Sequence, residues 1–353
     1  MRLEEPGWWY GEAPDVRARL LAPLGALYGW VARARCQRHK PYRSRLPVIC
    51  VGNFTAGGTG KTPLAIAVAK LLIARGVTPA FLTRGYGGSE AGPVWVEDGQ
   101  GAARRFGDEP LLLARVAPTL VARDRAAGAL AIEASGRKVG AIVMDDGLQN
   151  GSLAKDLSIA AVDGVRGLGN GEVIPAGPLR APLEFQLGLV DAIVVREPAQ
   201  DGAAAASVHE RMRRSFPGPV LAARVGPSGD TGWFASRPVV AFAGIANPQR
   251  FFALAEGLGA RVQERVSFSD HHAFSRADAE RLLALAQAKA CDLITTEKDW
   301  VRLAGDESLG ELQRKTRTLA VEMTFEEHDL NRLVALIDAA ALKQSPPRPP
   351  YVR

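Results

Sequence analysis

Short apolar runs recur along the chain and alternate with stretches of helical period. Val48–Val51, Ala80–Thr83, Leu120–Ala122, Ala141–Met144, Ile159–Val162 and Ala192–Val195 each read as a strand without a polar face. Pro63–Arg75, Pro110–Val116 and Asp124–Ser135 read as helices between them, the first closed by Gly76. Strands that are apolar on both faces and separated by helices predict an α/β fold, a mostly parallel sheet flanked by helices on both sides. The alternation then repeats. Val239–Phe242, Leu293–Thr295 and Thr318–Val321 read as strands, and Pro248–Leu258, Arg276–Lys289 and Asp329–Leu342 as helices. The stretch Gln200–Trp233, rich in Ala, Gly, Pro and Ser, marks the boundary between the two series. The pattern predicts an N-terminal segment (1–45), a core (46–220), a second, smaller α/β lobe (221–344) and a flexible proline-rich tail (345–353).

Composition fits that picture. The chain has 353 residues, 47% apolar and 23% charged, enough to bury a sizeable core without covalent staples. Its three cysteines have no metal-ligand spacing, which predicts a reducing compartment. No apolar run approaches the length of a membrane span, and no cleavable signal peptide is predicted.

The first strand changes the picture from fold to chemistry. Val48–Leu64 reads VICVGNFTAGGTGKTPL, a strand that breaks into a glycine-rich loop and then a helix. Thr55, Ala56, Gly57, Gly58, Thr59, Gly60, Lys61 and Thr62 form the loop of a P-loop NTPase-type core. Its backbone N–H groups and the helix N-terminus can converge on a phosphate. Lys61 would reach the β/γ-phosphates of a nucleotide, and the Thr62 hydroxyl would join Mg²⁺. The strict motif has glycine where this chain has Thr55, so the loop is a variant.

Other motifs lie at expected strand ends. Asp145 and Asp146 follow the Ala141–Met144 strand, where an acid beside a phosphate loop holds Mg²⁺. Asp108 and Glu109 precede Pro110 at a helix start; by pattern alone they read as capping acids. Asp270, His271 and His272 put a carboxylate beside imidazole, which fits either a general base or a cap with surface histidines. Lys155, Arg166, Arg180 and the Arg84 loop offer further phosphate contacts. Glu297, Lys298 and Asp299 sit after a strand of the second lobe, and their spacing assigns them no role.

Charge is uneven. Residues 1–45 hold nine basic and four acidic residues, part of a net charge of +6. The same stretch contains Trp8, Trp9, Tyr10, Tyr28 and Trp30. Val16–Ala34 is apolar at helical spacing, flanked by Arg17, Arg19, Arg33 and Arg35, with Pro23 expected to kink or restart the helix. An amphipathic helix on anionic lipid and a helix docked on the protein's own core both fit. Nucleic acid is the weaker reading, since no recognised binding module accompanies the charge.

The motifs together resemble the tetraacyldisaccharide 4′-kinase (lipid A 4′-kinase) family. The matching segments are VGNFTAGGTGKTP (Val51–Pro63), TRGYGG (Thr83–Gly88), GDEPLLLA (Gly107–Ala114), RDR (Arg123–Arg125), MDDGLQN (Met144–Asn150), GNGEVIPAGPLR (Gly169–Arg180), FSDHHAF (Phe268–Phe274) and TTEKDWVRL (Thr295–Leu303). The resemblance implies transfer of the ATP γ-phosphate to the 4′-hydroxyl of a lipid A disaccharide precursor. It implies catalytic roles for Lys61 and for an Asp108–His271 pair, in preference to His272. It places Thr62, Asp145, Asp146 and Glu109 near the metal, and Arg84, Arg123 and Arg180 near substrate. ATP and Mg²⁺ are the implied cofactors. The implied location is peripheral, on the cytoplasmic face of the inner membrane, without nucleic acid or an obligate protein partner. Where the family carries glutamate after GPLR, this chain has Ala181. Two alternatives remain at this point. One is a switch ATPase or GTPase acting on a protein partner, although many of those carry lysine where this chain has Ala56. The other is a nucleotide-binding membrane module without catalysis.

Overall fold

The computed structural model describes residues 5–11, 13–38, 40–97, 99, 101–198, 202–304 and 306–341; the tail expected at 345–353 lies outside the described residues. Thirteen strands occur among them: β1 (Val48–Asn53), β2 (Pro79–Thr83), β3 (Val94–Trp95), β4 (Thr119–Val121), β5 (Ala141–Asp145), β6 (Leu157–Asp163), β7 (Ala192–Glu197), β8 (Val220–Pro227), β9 (Pro238–Ala243), β10 (Arg261–Ser267), β11 (Asp292–Thr296), β12 (Thr316–Leu319) and β13 (Val321–Phe325).

The chain divides into two compact units. The first is drawn from 1–84, 122–225 and 323–353, the second from 85–121 and 226–322. This differs from the linear division expected from sequence in two places. Residues 85–121 join the second unit because Phe106, Leu111, Leu112 and Val121 pack in one apolar cluster with Val301 and Trp300. The last helix, Glu327–Ala341, joins the first unit. There Asp329 accepts from the Ala222 amide at 2.8 Å, and Asp338 pairs with Arg75 at 2.7 Å.

In the first unit seven strands run in the order β13-β8-β7-β6-β1-β5-β2. Pairing is parallel from β2 through β5, β1, β6 and β7 to β8. Every residue of β1, β2, β5 and β6 is buried, the physical reason these strands are apolar on both faces. The register sets Val51 beside Asp145 on one side and Ile159 on the other. The C-terminal ends of β1 and β5 therefore open side by side.

In the second unit β10-β9-β11-β12 form a parallel sheet. Alternate residues of β9 face opposite layers. Val239, Ala241 and Ala243 pack with Phe251, Phe252 and Ala255 of the helix Pro248–Gly257. Val240 and Phe242 pack with Ala279 and Leu282 of the helix Arg276–Ala288. This is the period-2 signature of a sheet covered on both faces. The single strand expected at Thr318–Val321 is in fact two, broken at Ala320, where β12 ends and β13 begins.

The N-terminal helix runs unbroken over Val16–Gln37 with Pro23 inside it, capped by Asp15. Ala18, Gly25, Gly29 and Cys36 form its buried face. A Cβ on Gly25 would stand 2.8 Å from the Val173 carbonyl oxygen, so glycine lets the helix lie directly on the first unit. Leu20, Leu24, Leu27 and Trp30 are 75%, 55%, 59% and 67% exposed. No helix among the described residues is long and apolar enough to cross a membrane.

Candidate active site

β1 delivers the chain into the glycine loop, and the helix Lys61–Ala74 carries it away. Gly57 and Gly60 have φ of 90° and 92°, the left-handed region open to glycine. Gly60 occupies the N-cap position and supplies no side chain there, which leaves the first amides of the helix available to an anion. The loop is braced from below. The Asn53 side-chain amide donates to the Thr55 carbonyl at 2.6 Å, and the Ala56 amide donates to Pro178 O at 2.8 Å. Thr55, Thr59 and Thr62 are buried.

The acid pair ends β5. Asp145 is 1% exposed and accepts from the Thr83 hydroxyl at 3.4 Å. Asp146, at φ 49°, turns back toward the loop. Its carboxylate takes a two-pronged contact from Arg180 at 2.7 and 3.2 Å and lies 3.5 Å from Lys61 Nζ. Burial pushes the Asp146 carboxyl up, but Lys61 and Arg180 outweigh it and bring it to about 2. Arg180 Nε also donates to the Thr55 carbonyl at 3.0 Å, so one side chain ties the acid to the loop.

Thr62, Asp145 and Asp146 offer only oxygen donors, the set that suits a hard divalent cation. No group of three or more His, Cys, Asp or Glu that could hold a metal ion occurs among the described residues. Two carboxylates and a hydroxyl suit Mg²⁺, which commonly fills its remaining positions with phosphate and water. Arg84 and Arg123 are exposed, and the Ala122 amide bonds to Thr83 O at 2.9 Å, bringing the two arginine-bearing turns alongside each other. Beneath them Arg125, 2% exposed, donates to the Ala122 carbonyl. Lys155, expected as a phosphate contact, instead donates to Leu148 O and Asn150 O at 2.7 and 2.8 Å and closes a turn. Arg166 pairs with Glu5 at 3.1 Å and stacks on Tyr10, and with Tyr10 it lines a cleft beside Thr55, Ala56, Gly58 and Thr59.

The second unit holds the other candidate group. Asp108 opens the helix Asp108–Ala114 and is 4% exposed. Its Oδ2 lies 3.1 Å from His271 Nδ1 and accepts from Arg302 Nε at 3.1 Å. Burial raises the Asp108 carboxyl, but the His271 hydrogen bond and the charges of Arg302 and Lys298 hold it well below the ordinary carboxylate range. The capping role favoured by pattern is not what its side chain does, beyond one bond to the Glu109 amide. His271 Nε2 lies 3.7 Å from Asp270, and Tyr86 meets the ring edge-on at 6.1 Å. His272 points elsewhere, 3.1 Å from Asp278 in the cap of the next helix.

Glu109, expected at the metal, is engaged differently: Lys298 binds it at 3.0 Å within the second unit. Burial lowers Lys298, and Glu109 and Asp108 more than restore it, so the ammonium is retained. Sequence spacing gave Lys298, Asp299 and Arg302 no role. The signal was their helical interval, since i, i+3 and i+4 share a face, but the helix Glu297–Leu303 was not anticipated. Ala181 is fully buried, and its carbonyl accepts from the Gln186 side chain at 2.7 Å, so a packed methyl stands where the family's glutamate is expected.

A glycine loop on a helix N-terminus, with an acid pair at the neighbouring strand end, places the molecule among the P-loop phosphotransferases. Comparison with known proteins narrows the class. Residues 17–339 match the family model described as tetraacyldisaccharide-1-P 4′-kinase. The chain is 47% identical to the tetraacyldisaccharide 4′-kinase of Paramagnetospirillum magneticum over 97% of its length and 100% of the relative's. It is 50% identical to that of Methylorubrum extorquens over 86% and 90%. It is similar to the crystal structure of "apo" form LpxK from Aquifex aeolicus in complex with ATP, with a TM-score of 0.71 and 26% identity, covering 92% of this chain and 99% of that one. The chain belongs to the tetraacyldisaccharide-1-P 4′-kinase family. A kinase family sets aside the switch-ATPase alternative and the non-catalytic module.

Proposed function

We propose that the protein transfers the γ-phosphate of ATP to the 4′-hydroxyl of a tetraacyl disaccharide 1-phosphate, with each cluster performing one part. The loop Thr55–Thr62 and Lys61 hold the phosphates of ATP. Thr62, Asp145 and Asp146 would hold Mg²⁺, which would supply charge neutralisation to the nucleotide phosphates. Arg180 fixes Asp146 against the loop. The exposed arginines Arg84 and Arg123 offer charge to the anionic acceptor.

A sugar hydroxyl is a weak nucleophile, so its proton must leave as the oxygen meets phosphorus. His271 takes that proton on Nε2, because Nδ1–H is directed at Asp108. The oxygen forms its bond to the γ-phosphorus, the bond to the β–γ bridging oxygen breaks, and ADP departs with that electron pair. Asp108 stays ionised and stabilises the imidazolium that forms. Such a base contributes roughly 10²–10⁴-fold. The observation that carries this reading is the buried Asp108–His271 contact, in a chain whose loop and relatives are those of a kinase.

The N-terminal helix is the proposed membrane contact, placing the enzyme peripherally on the cytoplasmic face of the inner membrane. Its small residues face the protein and its large apolar residues face outward. Exposed Arg19 and Arg35 are offered to anionic headgroups, while Arg17 pairs with Asp15 and Arg33 bonds Gln37. The test is incubation with γ-labelled ATP and the lipid disaccharide. Label on the lipid is expected; label only in free phosphate, or none released, overturns the reading.

A further inference from the structure

Arg302 is engaged on every nitrogen of its guanidinium and has no part in the scheme above. It lies in the helix Glu297–Leu303, and its side chain is 7% exposed. Nε and Nη2 both donate to Asp108 Oδ2, the first at 3.1 Å. Nη1 donates to Asp299 Oδ1 at 2.7 Å and to the Gly244 carbonyl at 2.6 Å. Nη2 also stands 3.4 Å from His271 Nδ1, so guanidinium and imidazole meet on the same carboxylate oxygen.

The plane of the guanidinium is fixed from behind. Asp299 is fully buried, and its two oxygens accept from the Gly244 amide at 3.1 Å. Its Oδ2 also accepts from the Thr296 hydroxyl at 2.7 Å. The Gly244 carbonyl receives the His271 amide at 3.0 Å as well as Arg302. Thus the backbone that sets the imidazole and the side chain that sets the carboxylate share one anchor. Asp108 opens its helix behind Gly107, whose φ is 86°, and the local backbone holds its carboxylate by one bond, from the Glu109 amide to Oδ1 at 3.1 Å.

We infer that Arg302 is a positioning residue for phosphoryl transfer: it clamps Asp108 in the orientation that aligns His271, while Asp299 fixes the clamp. The inference rests on the proposed base pair. Charge makes the clamp useful as well as rigid. Two carboxylates, Asp108 and Asp299, share the one guanidinium, while Lys298 also acts on Asp108 and Asp270 lies 3.7 Å from His271 Nε2. A planar fork can hold both acids at set angles, whereas an ammonium could supply charge without direction.

The test uses the full chain, assayed with ATP and the tetraacyl disaccharide. Arg302→Gln and Arg302→Lys are each made alone and in an Asp108→Asn background, and circular dichroism confirms that each is folded. Arg302→Gln is expected to lower kcat by roughly 10²-fold and to leave the ATP KM within about twofold. Arg302→Lys is expected to recover about tenfold of that loss, because charge returns without the fork. In the Asp108→Asn background Arg302→Gln is expected to add less than about twofold, since the two residues act as one unit. If Arg302→Gln does not fold, Arg302→Lys carries the same cycle. An undiminished Arg302 effect in the Asp108→Asn background, or a loss confined to the ATP KM, overturns the inference. A fully active Asp108→Asn overturns the base pair itself, and the inference with it.

Discussion

Asp108 and His271 meet at 3.1 Å, one opening a short helix and the other held in a loop at φ 56°. A non-glycine residue at positive φ is uncommon, and it is kept here by the His271 amide bond to Gly244 O. This backbone sets Nδ1 against the carboxylate, and in the proposed mechanism Nε2 takes the acceptor's proton. In the proposed mechanism, replacing either member removes the base and leaves the residues of the loop Thr55–Thr62 unchanged. His271→Ala or Asp108→Ala should therefore lower kcat by roughly 10²–10⁴-fold with little change in ATP affinity. Steady-state kinetics with each substrate varied in turn decide it; full turnover in either variant ends the base assignment.

Lys61 has the opposite signature. Its ammonium sits 3.5 Å from Asp146 at the start of the loop helix, where a nucleotide's terminal phosphates are expected. Lys61→Met leaves the glycine turns intact and removes one charged donor. ATP affinity should fall by about 10–100-fold, the scale of a hydrogen bond to a charged group. Calorimetric titration with a non-hydrolysable ATP analogue measures it, and an unchanged affinity would place the phosphates elsewhere.

The same acid gives a pH dependence. The Asp146 carboxyl is brought down from 3.8 to about 2, so the folded chain binds that proton less readily than the unfolded chain does. As pH falls below about 4 the unfolded state gains protons first, and the stabilisation is lost progressively toward about pH 2. Above about pH 4 it is fully present. The side chain is 31% exposed, so solvent screening holds the effect to about 1 kcal/mol. Urea unfolding of nucleotide- and metal-free protein should show Asp146→Asn losing less stability than the parent between about pH 5 and pH 2.5. Parallel curves for the two proteins would refute the linkage.

How much of this was legible in sequence depends on range. β1, β5 and the loop were readable because a fully buried strand and a glycine turn write their signatures into adjacent residues. β10 was not. Its residues RVQERVS are exposed or half-buried at a sheet edge, and no apolar period marks them. β8 was masked by the Gly and Pro residues of its own neighbourhood. The motif pieces around Asp108 and His271 could be quoted, but their contact could not be derived, since spacing in the chain says nothing of a long-range pair. Arg302 was invisible for the same reason. The pairing of Glu109 with Lys298 was not readable either, because Lys298 lies far along the chain.

The N-terminal helix yields a prediction on binding rather than catalysis. Leu20, Leu24 and Trp30 are among the exposed large apolar side chains of this helix. Burying one such side chain in a bilayer interface is worth about 1.5–3 kcal/mol. Leu20→Glu with Trp30→Glu should lower affinity for anionic phospholipid vesicles at least tenfold, about the scale of losing one buried side chain. The fold and the turnover of a detergent-dispersed acceptor should be kept. Vesicle co-sedimentation at two salt concentrations separates the apolar from the screened electrostatic part. Undiminished binding by the double variant would show that this face is not the membrane contact.

Gly244 links the His271 loop to Asp299 and Arg302, and its substitution tests both at once. Its amide donates to Asp299, and its carbonyl accepts from the His271 amide and from Arg302. A Cβ there would lie 3.1 Å from Asp299 Oδ1, 3.2 Å from His272 Cβ and 3.2 Å from the Ser269 carbonyl oxygen. All three contacts are tight, so these neighbours must give by a few tenths of an ångström. Gly244→Ala should destabilise the protein by about 1–3 kcal/mol, the range for overpacking a tight site. It should also lower kcat more than it raises the ATP KM, because the displaced groups are those that set His271. Thermal unfolding paired with kinetics separates the two effects. A variant as stable and as active as the parent would mean that the 244 turn is looser than its contacts imply, and that His271 is held by other means.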